Sequence, residues 1–174
     1  MEKKKKGLIA LVLLLVVAIG IGFAAASTDT VSINGSAKAV AGDFDIQFKT
    51  DSTITYNKSE TTGLTVTGEY TNVDVATMTV EGLKKKNDYA EATYTIVNKS
   101  SDVNASIAAA VSSAITDTTH YSVTTTMGSG ANNVAPDGTT TVTVRVTLIK
   151  EFADDTTAKT PATFTVTCTG TALS

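Results

Sequence analysis

Two hydrophobic patterns divide this chain. Near its start, residues 3–6 are all lysine, and residues 7–26 form an apolar run with no charged residue. At ~1.5 Å per helical residue, roughly 20 residues cross a bilayer core of about 30 Å, with the lysines on the cytoplasmic side. Beyond that run the apolar residues alternate with polar ones. Period-two alternation is the mark of strands with one face in a core.

The alternation predicts strands in chain order. In residues 27–40, Val31 and Ile33 alternate with Thr30, Ser32 and Asn34, and Ala37, Ala39 and Ala41 follow Gly35. Its apolar side chains are light for a core strand. Residues 43–49 put Phe44, Ile46 and Phe48 on one face and Asp43, Asp45, Gln47 and Lys49 on the other. A short strand is expected at 53–56 and a polar loop at 57–62. Residues 64–70 and 73–80 read as a hairpin around Thr71-Asn72. Residues 89–98 alternate cleanly. Residues 103–114 contain an alanine-rich stretch that favours helix intrinsically, but their place among strands predicts strand. Strands at 121–126, 139–149 and 162–172 complete the pattern, and Pro136-Asp137-Gly138 predicts a turn. About nine strands at this spacing predict an all-β fold, a jelly-roll or Ig-like two-sheet sandwich.

The apolar run ends in Ala24-Ala25-Ala26 before Ser27, a small-x-small pattern suited to signal cleavage between Ala26 and Ser27. A cleaved signal peptide is the first reading. A type IV-like pilin cut after Gly7 that keeps residues 8–26 as a helix is the second, and a permanent anchor the third. The expected organisation is therefore a leader at 1–26, an N-terminal strand at 27–41 and a sandwich at 42–174. The protein is expected outside the cell or on its surface, meeting the membrane only through residues 7–26 before cleavage.

Composition sharpens this picture. The chain carries a formal charge of −3. Glu2 and the four lysines give the leader +3, which leaves the exported part at −6 and without a basic patch, so nucleic acid is not an expected partner. Threonine and valine dominate, as pleated half-buried surfaces require. Cys168 is the single cysteine. It excludes an intrachain disulfide, and its place on an apolar strand face reads as core.

Catalytic chemistry finds little support. His120 is the single histidine, too few for a usual zinc site. Asp43 and Asp45, or Asp154 and Asp155, suggest calcium only weakly, since no EF-hand pattern surrounds them. The basic run Lys84–Lys86 reads as a solvated loop tip. No enzyme activity, metal or cofactor is expected. Four Asn-x-Ser sequons, at Asn34, Asn57, Asn98 and Asn104, are candidate N-glycosylation sites in an exported chain.

At Ala41-Gly42-Asp43-Phe44-Asp45-Ile46 the chain resembles the "AGTLDL" strand of the TasA/camelysin family of secreted filament proteins, which includes the related archaeal bundling pilins. Val80-Glu81-Gly82-Leu83-Lys84-Lys85-Lys86-Asn87-Asp88 and Ala92-Thr93-Tyr94-Thr95-Ile96-Val97-Asn98 are similar to that family's "L-K-P-G-D" turn and following strand. The resemblance implies a structural subunit of a pilus or biofilm matrix fibre, a homopolymer joined head-to-tail by donor-strand complementation and able to bundle. It implies that residues 27–40 are the donor, led by Val31, Ile33, Ala37 and Ala39. On the residues alone, this segment pairs equally well within its own sheet. Two alternatives stand: a camelysin-like metallopeptidase, which one histidine disfavours, and a monomeric membrane-anchored adhesin.

Overall fold

The computed structural model describes residues 28–33, 44–113, 117–153 and 164–173. The leader, the cleavage position Ala26/Ser27, and Asn34, Ala37 and Ala39 lie outside them, as do Asp43, Asp154 and Asp155. The described residues contain ten strands and no helix: β1 (Thr28–Ile33), β2 (Ile46–Phe48), β3 (Thr55–Lys58), β4 (Thr65–Tyr70), β5 (Val75–Glu81), β6 (Tyr89–Asn98), β7 (Ala105–Ser113), β8 (Tyr121–Met127), β9 (Thr139–Leu148) and β10 (Thr165–Ala172). The all-β expectation is met. The ambiguous alanine-rich stretch is strand, because its edge pairs with β10 from Ala105 to Ser113.

The strands form two sheets. One has the order β4-β5-β1-β10-β7. The other has the order β2-β6-β9-β8, with β3 beside β2 on the same edge of β6. The alternation seen in sequence becomes the core. Ala90, Ala92, Tyr94 and Ile96 of β6, with Phe48, Val142, Val144 and Val146 beside them in the same sheet, share one buried cluster with Met78, Val166 and Cys168 of the other sheet. Burying each larger apolar side chain contributes about 1.5–3 kcal/mol. Tyr94 is the largest fully buried side chain, and it forms tilted and edge contacts with Phe48 and Tyr70.

Asn57 and Lys58, expected in a loop, belong to β3. All four residues of β3 are exposed, so hydrophobicity does not announce this strand. Backbone pairing with Ala90–Thr93 of β6 creates it. β2 takes the other part of the same edge, pairing with Ile96, Val97 and Asn98. Between the two pieces the Thr95 N–H donates to the Tyr70 hydroxyl at 2.9 Å.

The outer edges of the first sheet are blunted. On β4 the Tyr56 hydroxyl donates to the Gly68 carbonyl and accepts from the Gly68 N–H, both at 3.0 Å. The Lys58 ammonium donates to the Leu64 carbonyl. On β7 the Thr125 hydroxyl donates to the Ala109 carbonyl at 3.2 Å. The loop after β8 bonds the start of β7 through Ala131 and Val134, which are themselves buried. An edge so occupied offers few free backbone groups to another strand.

Candidate strand-acceptor site

The site is the middle of the first sheet, where β1 lies. Its residues pair antiparallel with β10 from Thr28↔Thr171 to Ile33↔Val166. On the other side β1 pairs parallel with β5, through Ser32↔Val75 and Ile33↔Ala76. Among the described residues β1 is the sole backbone connection between the β4–β5 and β10–β7 halves of this sheet. Of the donor residues expected from sequence, Val31 and Ile33 thus lie in register with Cys168 and Val166, within their own chain.

The slot that β1 fills has a defined lining. On β10, Val166 and Cys168 are fully buried. Burial pushes the Cys168 thiol up to about 12, so it stays protonated at neutral pH. On β5, Ala76 and Met78 are buried. The facing sheet braces that side: the Tyr94 hydroxyl donates to the Thr77 carbonyl at 2.6 Å. Gly68 permits this, because a Cβ there would lie 2.7 Å from the Tyr94 oxygen. Further along β10, a Cβ on Gly170 would lie 2.5 Å from Ile46 Cγ1. Over Gly170 Ile46 of the facing sheet takes the room a side chain would need.

The turn between β5 and β6, part of the second family-like block, is held by Asp88. Its carboxylate accepts from the N–H groups of Lys84 and Lys85 at 3.0 and 2.8 Å, and from the Thr61 hydroxyl at 2.7 Å. Burial opposes the charge, but these donors outweigh it and lower the carboxyl below its ordinary 3.8. Gly82 begins the turn at φ +85, where a Cβ would also strike the Gly63 carbonyl. The lysines at 84–86 are exposed, as a loop tip should be.

The sequons separate by access. Asn57 and Asn104 are exposed; their amides reach Glu91 and Asn133 at 3.1 and 2.8 Å. Asn98 is 0% exposed, and its amide nitrogen donates to the carbonyls of Val103 and Val134 at 2.8 and 2.9 Å. A glycosyl transferase would reach Asn98 only before the chain folds. In sequence it looks like any other sequon; its partners lie in two separate loops.

His120 sits at the rim. Its Nδ1 lies 2.8 Å from an Asp117 carboxylate oxygen, and its ring stacks on Phe152 at 4.1 Å. Asp45, one of the calcium candidates, accepts from the Gln47 amide at 2.6 Å. Burial and then the charge of Asp74 raise its carboxyl against that hydrogen bond. Among the described residues no three His, Cys, Asp or Glu side chains group as metal ligands would. Among the same residues no helix is long and apolar enough to cross a membrane.

Comparison with protein families, with curated proteins and with solved structures gives no match.

Proposed function

We propose that this chain is a structural subunit of an extracellular fibre. In this reading a jelly-roll sandwich polymerises by placing its first strand in the β5–β10 slot of the next copy. One observation carries it: β1 lies in the middle of a sheet whose outer edges are blunted by Tyr56, Lys58, Thr125 and the loop around Val134. The interior slot is thus the place where an added strand gains main-chain hydrogen bonds on two sides and buries alternate side chains. Among the described residues β1 is the first strand. Repeating the exchange joins copies through a contact that does not close, which generates a filament. The resemblance to secreted filament proteins agrees with this reading. The apolar leader fits export and removal before assembly.

Val31→Cys tests it, because Val31 is the register partner of the native Cys168. Paired strands place such residues within disulfide reach, whereas a two-residue offset does not. Mature protein, residues 27–174, is assembled, imaged by negative stain and oxidised. A ladder of covalent multimers on a non-reducing gel is the expected result. Fibres that yield only internally bridged monomers, or protein that stays monomeric under every condition, would refute strand exchange.

A further inference from the structure

β3 and β4 belong to different sheets, and two tyrosines join them where no strand pairing does. Tyr70 of β4 reaches across to the second sheet. Its hydroxyl accepts the Thr95 N–H at 2.9 Å and pairs with the Ser52 hydroxyl at 2.9 Å. Tyr56 of β3 reaches back. Its hydroxyl donates to the Gly68 carbonyl and accepts from the Gly68 N–H, both at 3.0 Å. One oxygen thus makes the two bonds that a neighbouring strand would make to that residue. The two rings differ in setting. Tyr70 is half-buried and packs against Phe48 and Tyr94. Tyr56 is 46% exposed, so a turn of its side chain into solvent uncovers Gly68.

Both backbone groups of Gly68 face away from β5. Residues two apart in an antiparallel pair face the same way, so Leu64, Val66 and Tyr70 present theirs on the same edge. The Lys58 ammonium covers the Leu64 carbonyl. β4 itself holds no lysine or proline, the residues that commonly protect an edge, and its single charge is Glu69. Its protection comes from β3.

We propose that β4 is a second strand acceptor held shut by the Tyr56 hydroxyl, and that the occupant it takes once uncovered is β4 of a second copy, running antiparallel. The sequence of β4 suits self-pairing centred on Thr67. Val66 then exchanges backbone bonds with Gly68 of the copy, Thr67 meets Thr67, and Glu69 lies opposite Thr65. No like charges oppose one another, and a threonine pair is a favourable cross-strand contact. Centring on Glu69 would set two carboxylates against each other. The contact uses the same surface on both copies and therefore closes as a pair. It joins copies sideways, and it involves neither β1 nor the slot, so it stands independently of strand exchange.

Thr67→Cys tests it, because self-pairing centred there sets the two new thiols side by side. Thr79→Cys is the control: Thr79 is exposed beside Thr67, one strand in from the edge. Each is made in mature protein with Tyr56 intact and with Tyr56→Phe, which removes only the hydroxyl, and is oxidised and run on a non-reducing gel. Thr67→Cys is expected to give at least tenfold more disulfide-linked dimer with Tyr56→Phe than with Tyr56, and Thr79→Cys no such gain. Equal dimer from Thr67→Cys in both backgrounds would overturn the guard. No dimer in either would overturn the acceptor, and an equal gain by Thr79→Cys would show contact between faces and not edges. One reactive thiol per chain before oxidation shows that Cys168 is still covered and the sandwich folded. Where Tyr56→Phe exposes two, Lys58→Met, which bares the Leu64 carbonyl, takes its place under the same readings.

Discussion

The Asn98 amide spans two loops, so Asn98→Ala leaves the Val103 carbonyl and the Ser100 N–H without that partner, while the Val134 carbonyl keeps the Ala105 N–H. Each stranded buried group costs about 1–3 kcal/mol. The urea midpoint of the variant should fall accordingly, with the slope unchanged. Thr140 gives the opposite expectation. Its hydroxyl is buried without a hydrogen-bond partner, and valine has nearly the same shape. Thr140→Val should raise stability by about 1 kcal/mol, read in the same titration. Asp88 supplies a pH dependence. Its folded carboxyl lies below the unfolded value, near 3.8, so the unfolded chain binds the proton more readily. Its contribution is complete above that value and is lost as pH falls through the lowered folded pKa. Asp88→Asn should flatten the acid limb of a stability-against-pH curve. Cys168 acts at the other extreme. Its raised pKa favours the folded state below about 9 and loses that advantage as pH rises toward about 12.

At the scale of the element, β1 decides whether the first sheet is one piece. A chain lacking residues 28–33 should expose Cys168, and its labelling by a thiol reagent at neutral pH should rise by orders of magnitude over the intact chain. A synthetic peptide of residues 27–41 should restore protection. No change in labelling on deletion would show that β1 does not cover Cys168. Most strands were legible because their apolar residues alternate: β6 and β9 fall where Tyr94 and Val144 predict them. β3 was half legible: the short strand expected at 53–56 covers Thr55 and Tyr56, but Asn57 and Lys58 bury nothing and are strand through pairing to β6. The site was half legible. Val31 and Ile33 announce a strand, but the partners Val166, Cys168 and Ala76 lie far along the chain. The role of Gly170 depends on Ile46 in the other sheet, a proximity that no local pattern encodes.

For the whole molecule, stability comes without a disulfide, from one apolar cluster shared by two sheets. If the slot is refilled by a neighbour, each copy is stabilised by mass action, and melting should become dependent on protein concentration. Calorimetry across a concentration series checks this; a constant transition temperature through the range in which fibres form would contradict it. The orientation of β1 carries a last consequence. It runs against β10 and along β5, so a strand inserted backwards would mismatch the hydrogen bonds of both walls. In the proposed polymer every junction would then point the same way. One tip would present a vacant groove and the opposite tip an unspent strand, so the two tips should elongate at different rates and only one should be blocked by a short peptide plug.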